Sequence, residues 1–583
     1  MKNSIKTVAF AVVAAMAVSV TSCESFEQTN TNPNTFSKDN IVPMYLASPA
    51  MIRSTMGADM WQRIINLNTD TYAQYFCNDK YSTNTCVPDN SWNTDYWNSA
   101  WTWIVNLKEA IAICGDDPLL NNQKQMCRIW KTWVYSRFTD YFGDLPYSQA
   151  LNLAEYPNPK YDSQKDIYYD LIKEVSEASA AIDFTIPNTI AAYDPFFGGD
   201  MAKWQQLANT LHLRYAMRMA YADPAKAKAE AEAAAAAPGG FLKEDVKIWK
   251  GVSAYTTNVG HNLFYPWPHY WPTRLTLSTS MEKILTNLGG VAVEKKDYYQ
   301  EGKVPAFADP RALIMFNVTS DGTLAGFQRH REKDPETGKT IWVIDYDFRG
   351  QWQGVQPGLT MSEGNKVENM GTNNPRLGAF FLGNNTEAPV DKEPDLNKDG
   401  YQPLMYGSES QFLLAEAALR GYSVGGDAKS FYEAGIRMDM ARYGNLIKSA
   451  DIDSYINSDM KNKMGTSVAF NDCAGTDLSG DRNSKLMKIM TQKYIANFPA
   501  NSYEAWTDYR RTGMPALDPF ESPQPGFVIE AKGMDYLGSV RRSTYPADEK
   551  TLNPEQYQIV VDAMGGDGTT QRMWWDCRTE VVK

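Results

Sequence analysis

Two helix-forming segments separated by a short glycine-containing turn constrain the fold of this chain more than any other feature. They span residues 408–421 and 427–443. Small side chains would let the two helices approach closely, and three larger apolar side chains would fill the contact. The small residues are Ala415, Ala418, Ala434 and Gly435, and the larger ones are Phe412, Leu414 and Phe431. This pattern is typical of a tetratricopeptide-like helical hairpin, although no clean 34-residue repeat is visible.

Helical periodicity also dominates other parts of the chain. Residues 203–222 place apolar side chains at spacings of three and four, which predicts one apolar helix face. These side chains are Trp204, Leu207, Ala208, Leu211, Tyr215 and Met219. Asp200 is positioned as the N-cap of that helix. The alanine-rich run 225–237 favours a second helix, which should stop at Pro238.

Residues 240–407 have a different character, because they are rich in Gly, Pro, Asn and aromatic residues with only short β-branched runs. We expect loops and a few short strands there. The sequence therefore predicts a mainly α fold, with a scaffold of helical hairpins, long loops and a few strands. We expect one domain over residues 41–583, with the loop-rich insert at about 240–407.

The N-terminal residues predict export and lipid anchoring. Lys2 and Lys6 precede an apolar stretch from Val8 to Val20, which is too short to span a bilayer and is typical of a signal peptide over residues 1–22. Cys23 at the cleavage point resembles a bacterial lipobox, although the usual leucine is missing. An ordinary signal peptide is the alternative. The polar residues 23–40 would then form a lipidated N-terminus and spacer.

Composition excludes some classes of partner. The net charge is −12, and no block of Lys or Arg is present, which argues against nucleic-acid binding. Exported proteins can form disulfides, and Cys77 with Cys86 is the favoured local pair, but free buried thiols are equally compatible with the sequence. The absence of a C-x-x-C motif argues against structural zinc.

The chain contains 16 Trp and 33 Tyr, and three aromatic clusters are candidates for a binding site. Aromatic faces with polar edges suit both sugars and peptides. The first cluster comprises Trp92, Tyr96, Trp97, Trp101 and Trp103. Trp97 and Trp101 are four residues apart and are expected in the core, whereas Trp92 is expected to be more exposed.

The second and third clusters lie inside the insert. The second is threaded through Pro266, Pro268 and Pro272 and comprises Tyr255, Tyr265, Trp267, His269, Tyr270 and Trp271. Prolines stiffen an irregular loop, and a preorganised aromatic surface loses less entropy when a ligand docks. The third cluster partly alternates, like an exposed hairpin, and comprises Trp342, Tyr346, Phe348 and Trp352. Core packing competes with ligand contact for every single ring.

Residues 395–400 have the D-x-N-x-D-G form of a calcium loop. Asp395, Asn397 and Asp399 would supply side-chain oxygens and Tyr401 a carbonyl oxygen. Position twelve is Tyr406 instead of Glu, which departs from the EF-hand pattern, and Glu409 would have to substitute. An acidic turn without metal is an equal alternative. No other cofactor is predicted.

Two charged motifs have both a catalytic and a structural interpretation. Asp140 and Asp144 flank a short Gly- and Pro-containing segment that ends at Tyr147 and could be an acid/base pair, but a helix cap and turn is favoured. Residues 506–511 combine a Trp, an Asp, a Tyr and two Arg. A buried Arg–carboxylate network that holds two helices together is the favoured interpretation there.

Several motifs in this order resemble the SusD/RagB family, and more narrowly its SusD-like 2 branch. They are Thr31-Asn32-Pro33-Asn34, Asp140 to Tyr147, Gly198-Gly199-Asp200 with Lys203-Trp204 and Leu211 to Arg214, Asp309-Pro310-Arg311, Gly350 to Leu359, Glu409 to Gly421, Gln492-Lys493-Tyr494, Glu504 to Arg511, Arg542 to Pro546, and Met573 to Asp576. They span nearly the whole chain after Cys23.

The resemblance implies a surface lipoprotein of the Bacteroidetes outer membrane. Such a protein captures oligosaccharides or peptides and sits as a lid over a SusC-type TonB-dependent barrel that imports them. Glu24 and Glu27 resemble a surface-export signal. The family has no catalytic residues, and this chain lacks G-x-S-x-G, H-E-x-x-H and Walker motifs and has only four His. A surface glycoside hydrolase and a structural lipoprotein without ligand are the alternatives.

Overall fold

The computed structural model describes residues 42–78, 90–249, 275–293, 304–317, 328–333, 338, 340–345, 352–355, 357, 375–378, 381, 401–519 and 540–578. Helices dominate these residues, as predicted. The longer ones are α1 Pro43–Ser54, α2 Asn90–Cys114, α3 Asn121–Phe142, α4 Gln164–Ala180, α5 Met201–Arg218, α6 Pro224–Ala236, α7 Thr279–Leu285, α8 Ser408–Leu419, α9 Ala428–Ala441, α10 Ser449–Ile456, α11 Lys485–Ala496, α12 Ser502–Thr512 and α13 Pro554–Met564.

Shorter helical pieces connect them. Between α1 and the first strand, the chain passes through Ala58–Met60, a π-helical stretch Trp61–Thr69 and Asp70–Tyr72. The remaining short pieces are Pro118–Leu120, Ala312–Met315, Gly444–Leu446 and Glu549–Leu552.

The strands are short and pair in small antiparallel sheets. They are β1 Phe76–Asn78, β2 Leu145–Pro146, β3 Tyr161–Asp162, β4 Val246–Trp249, β5 Leu275–Leu277, β6 Thr286–Ala292, β7 Phe307–Ala308, β8 Phe316–Asn317, β9 Gln328–Lys333, β10 Thr340–Asp345, β11 Arg376–Leu377 and β12 Tyr401–Met405. Nine of these twelve strands, β4 to β12, fall within 240–407, so the predicted mixture of loops and short strands is confirmed in the described part of this stretch.

The predicted helical hairpin is present as α8 and α9. Asp427 caps α9 by accepting a hydrogen bond from the Ser430 amide at 3.0 Å. A Cβ at Gly435 would lie 2.8 Å from the ring of Phe412, so this glycine is required for the close approach of the two helices. The hairpin therefore packs as the small residues predict.

Helix α5 lies at the centre of the scaffold. Asp200 caps it, as predicted, by accepting hydrogen bonds from the amides of Ala202 and Lys203. Nearly every side chain from Trp204 to Arg218 is buried, including the polar ones. The prediction of a single apolar face was therefore incomplete, because the opposite face is also covered and carries charged residues that meet partners on other helices.

A two-stranded sheet closes the base of the insert. Strands β4 and β12 are antiparallel, with Trp249 and Tyr401 as register partners. The positions where the chain enters and leaves the stretch 250–400 are therefore neighbours.

A four-stranded sheet, in the order β1-β5-β11-β8, organises the chain further. Asn78 pairs with Leu275, so the chain leaves β1 and enters β5 at the same end of the sheet. Arg376 pairs with Asn317, and the Leu277 amide donates to the Pro375 carbonyl. The chain therefore leaves β8 and enters β11 at the opposite end of the sheet.

The thiol of Cys77 is free and donates a hydrogen bond to the Val355 carbonyl at 3.2 Å. The favoured Cys77–Cys86 disulfide is therefore not formed in this structure, and Cys86 lies outside the described residues. Cys114 and Cys127 are free buried thiols as well. Among the described helices, none combines the length and the apolar character that crossing a bilayer requires.

Candidate ligand-binding site

Two of the aromatic clusters lie in stretches of sequence near β1 and β5, whose ends at Asn78 and Leu275 are paired. Trp92 lies near the start of α2, just after residues 79–89, and Trp271 precedes Leu275 by four positions. Tyr255, Tyr265, Trp267, Tyr270 and Trp271 themselves lie outside the described residues, with His269.

The first cluster follows the prediction in part, because Trp97 is in the core, whereas Trp101 and Trp92 are both half-buried. Trp97 is only 4% exposed, and its ring centroid lies 5.0 Å from that of Phe138. Trp101 is half-buried and packs edge-on against the same Phe138 ring at 5.1 Å. Trp92 is half-buried and stands one turn before this core. Trp92 and Trp101 therefore share the same intermediate exposure, and Trp97 is the buried ring of these three.

The third cluster follows β8 in sequence and begins in the separate two-stranded sheet of β9 and β10. Trp342 lies in β10, where its backbone pairs with Arg331, and its side chain is outside the described part of the structure. Tyr346 and Phe348 are outside it too.

Trp352 is placed in the core. It is 8% exposed, and its indole N–H donates to the Thr286 hydroxyl at 3.0 Å. Its ring meets Phe316 edge-on at 6.4 Å. Because both the ring and its polar atom already have protein partners, this burial weighs against a ligand face at Trp352.

The calcium-loop residues Asp395, Asn397 and Asp399 lie outside the described residues, and Tyr401 opens β12. The suggestion that Glu409 replaces the missing ligand is wrong. Arg214 binds both Glu409 oxygens, at 2.8 and 2.7 Å, inside the core. In the part of the chain that the structure describes, no group of three His, Cys, Asp or Glu side chains could hold a metal ion.

The charged motif at 506–511 forms the buried network that the sequence predicts. Arg511 donates two hydrogen bonds to Glu416, at 2.8 and 2.7 Å, which joins α12 to α8. Asp508 pairs with Lys493 of α11 at 2.7 Å. Arg218 of α5 pairs with Glu504 at 2.6 Å. The network therefore connects four helices, where the sequence predicted two.

This network controls the ionisation of its carboxylates. Burial raises the pKa of Glu416, but Arg511 and Arg420 outweigh burial and hold that pKa at about 2. Burial likewise raises the pKa of Glu504, and Arg214 and Arg218 lower it to about 2. These groups are charged and fully paired, so they stabilise the scaffold and are not available to a substrate.

Asp140 and Asp144 do not form an acid/base pair. Asp140 is 1% exposed and accepts hydrogen bonds from Tyr168 at 2.6 Å and Trp575 at 2.9 Å. It lies inside α3, so the predicted cap is wrong at this position. Asp144 does act at a helix start, because it accepts the Gln164 amide of α4 at 2.8 Å.

Nothing in the sequence indicates the burial of one titratable group, Asp70, which precedes β1. Asp70 is fully buried, and its carbonyl accepts the Tyr75 amide just before β1. Burial raises the pKa of Asp70 to about 7, and hydrogen bonds from Ser502 and Asn66 only partly oppose this. A single Asp in a polar stretch does not reveal burial, since the π-helical turn that buries it has no distinctive spacing.

Comparison with protein families settles the relationship that the motifs suggest. Residues 33–288 match the SusD-like 2 family, described as starch-binding and associating with the outer membrane. Residues 367–576 match the SusD-like family, described as the SusD and RagB outer membrane lipoproteins. The chain belongs to the SusD/RagB family. Members of this family are described as outer-membrane lipoproteins, which agrees with the predicted location.

Solved structures support the SusD-like fold. A SusD homologue from Parabacteroides distasonis is 26% identical, with a TM-score of 0.75 over 92% of this chain and 98% of its own. A chitin-binding SusD homologue from Flavobacterium johnsoniae is 24% identical, with a TM-score of 0.67 over 92% and 99%. A SusD homologue from Bacteroides uniformis is 22% identical, also with a TM-score of 0.67, over 92% and 100%. No curated protein matches the chain.

Proposed function

We propose that this SusD-like protein binds an oligosaccharide at the cell surface and delivers it to a SusC-type TonB-dependent barrel in the outer membrane. The observation that carries the proposal is the family match over both halves of the chain, which includes a family described as starch-binding. A similar structure is described as chitin-binding. Peptide capture is the alternative, because aromatic surfaces also suit peptides.

The ligand would bind near the end of the sheet at which Asn78 and Leu275 are paired. Trp92 would contribute from α2, and Tyr255, Tyr265, Trp267, Tyr270 and Trp271 from the insert. Aromatic rings would pack against sugar faces while polar neighbours orient the hydroxyl groups. Trp342 and Tyr346 would form a separate contact with the ligand.

The scaffold supports this role by holding the ligand-bearing segments in place. The four-stranded sheet packs against α11, where Tyr75, next to β1, lies with its ring centroid 4.6 Å from that of Tyr494. A rigid base reduces the ordering that binding requires. The chemistry that we propose is capture without a covalent step.

Affinity electrophoresis in soluble chitin and starch, beside titration with a mixed peptide pool, tests the ligand class. We expect a glycan to retard the protein and the Trp267→Ala, Trp271→Ala double variant to abolish the retardation. Tyr45→Ala is the matched control, because Tyr45 is 44% exposed and belongs to α1. Saturable binding of peptides with no glycan response would reverse the choice of ligand.

Gentle extraction of the native outer membrane, followed by cross-linking and mass spectrometry, tests the barrel partner. We expect a TonB-dependent barrel in equal amount, and a diacylated N-terminal peptide that begins at Cys23. Cys23→Ala should release the protein from the membrane fraction. Recovery of the wild-type protein alone after cross-linking would remove the delivery step from the proposal.

A further inference from the structure

A pocket of about 270 Å³ lies in the scaffold, outside the insert. The start of α3, the loop 183–190 and the start of α5 form it. Residues 240–407 do not contribute to its lining, so it is separate from the site proposed above.

The walls of this pocket combine exposed apolar groups with a buried floor. Phe184 is 59% exposed and Leu119 is 71% exposed, which is unusual for two large apolar side chains that line the same pocket. Ile190 and Met201 form the floor and are buried. An exposed aromatic ring over an apolar floor is the type of surface on which the face of a sugar ring packs.

One residue of the pocket lining, Gln123, also carries a buried acceptor without a donor. Gln123 is 7% exposed, and its Oε1 has no hydrogen-bond partner among the described residues. Its neighbour Asn122 is fully used, because it donates to the Asp183 carbonyl at 2.8 Å and accepts the Asp183 amide at 3.0 Å. An unpaired buried acceptor destabilises the fold, and a hydrogen bond from a ligand hydroxyl would remove that penalty.

The charges of the lining select the class of ligand. Asp183 and Asp200 contribute carboxylates, and the lining contains no Lys or Arg. Each carboxylate uses Oδ1 for a local turn or cap, toward Thr185 and Ala202 respectively. Two negative groups would repel a uronate, sulfate or phosphate, while carboxylates readily accept hydrogen bonds from hydroxyl groups.

We infer that this pocket is a second saccharide subsite, which takes one neutral pyranose ring against Phe184 and accepts a ligand hydroxyl at Gln123 Oε1. The volume suits a single sugar unit and excludes a long oligomer from the pocket itself. The inference rests on the proposed function only in its choice of sugars, since the pocket shares no residue with the aromatic site of the insert.

Ligand-observed saturation-transfer NMR on the full chain tests this inference. The probes are the methyl glycosides of glucose, mannose and galactose, with methyl glucuronide as the charged counterpart of the glucose probe. The Trp267→Ala, Trp271→Ala double variant serves as the background, so that the insert site does not contribute. We expect at least one neutral glycoside to bind in the millimolar range and methyl glucuronide to bind at least fivefold more weakly.

Two variants assign the binding to the pocket. Phe184→Ala should weaken the neutral glycoside at least fivefold, and Gln123→Met, which removes the acceptor with little change in volume, should do so too. Leu552→Ala is the matched control, because Leu552 is 72% exposed on another surface. The Leu552→Ala variant should bind the neutral glycoside as well as the background protein does.

Three results would overturn the inference: no neutral glycoside binds, Phe184→Ala and Gln123→Met leave the binding unchanged, or methyl glucuronide binds as well as the neutral probe. Failure of the proposed function has a different signature. The wild-type chain would then fail to bind oligosaccharides, while the glycoside binding that Phe184→Ala weakens would persist.

Discussion

Arg511 and Glu416 form a bidentate ion pair between α12 and α8, in which neither side chain is more than 1% exposed. Arg420 adds a second cation beside the same carboxylate, at 2.9 Å. Ion pairs this deeply buried are sensitive to the loss of one partner, because the remaining charge is then uncompensated. The scaffold of this SusD-like protein therefore depends on a few charged contacts between distant parts of the chain.

Glu416→Gln should lower the free energy of unfolding by about 3–5 kcal/mol, since it leaves Arg511 and Arg420 without their countercharge. Glu177→Gln is the control, because Glu177 pairs with Arg128 at a half-exposed site and should cost under about 1 kcal/mol. Urea unfolding at pH 7 measures both values. Equal effects of the two substitutions would show that the buried pair has no special role.

Acid should remove the advantage of the wild-type protein over Glu416→Gln. The pKa of Glu416 is held at about 2, below its ordinary value of 4.5, so the charged pair contributes stability above pH 4.5. That contribution is lost as the pH falls from 4.5 toward 2. Urea unfolding at pH 7, 4 and 3 should show a narrowing difference between the two proteins. A constant difference over this range would contradict the assigned ionisation.

Asp70→Asn should stabilise the protein at pH 8 by on the order of 3 kcal/mol and have little effect at pH 4. The pKa of Asp70 is raised from 3.8 to about 7, so the stability that its protonated form contributes is present below pH 3.8 and is lost as the pH rises through 7. Thermal unfolding from pH 4 to 8 checks this, and a variant less stable than wild type at pH 8 would refute it.

Gly435→Ala should destabilise the hairpin by about 1–3 kcal/mol, although alanine is the better helix former. The new methyl group would meet the Phe412 ring at 2.8 Å. Phe412→Leu replaces that ring by a smaller side chain. The Gly435→Ala, Phe412→Leu double variant should therefore lose less unfolding free energy than the sum of the losses in the two single variants. Additive losses of stability in this double-mutant cycle would show that the methyl group does not act through the Phe412 ring.

Calcium should raise the melting temperature if Asp395, Asn397, Asp399 and the Tyr401 carbonyl form a site, as we propose from the loop pattern. Asp395→Asn should remove the response, and Asp116→Asn, at a fully exposed aspartate, should keep it. Thermal unfolding in EGTA and in 1 mM calcium distinguishes the outcomes. No calcium response in the wild-type protein would assign the loop to an acidic turn without metal.

The sequence predicted the elements whose information is local. The α8–α9 hairpin, the alanine-rich α6 and the Asp200 cap follow from spacing and propensity within one segment, and all three are present. The pairing of Asn78 with Leu275 could not be predicted, because strands of three residues have no readable pattern. The ionic partners of Arg511 and Lys493 were also missed, since they depend on which helices meet.

Burial of individual aromatic rings was predicted only in part. Trp97 and Trp101 have helical spacing, which identifies a core face, and both pack against Phe138. Trp352 comes from a partly alternating segment, and alternation alone does not tell which face is covered. Thr286 and Phe316, which cover it, are distant in sequence. The pocket under Phe184 gave no signal, because its residues come from three separate segments.

Trp249 and Tyr401 stand opposite each other in the two-stranded sheet at the base of the insert. The chain between these two residues is nevertheless tied to the rest of the fold, because β5 pairs with β1 and Arg311 binds Asp439 of α9 at 2.6 Å. A substitution on one side of these contacts changes the packing that the other side meets. The insert and the helical scaffold are therefore expected to co-evolve, since an insert taken from a relative would have to match the host's sheet pairing and its buried ion pair as well as the two strand ends.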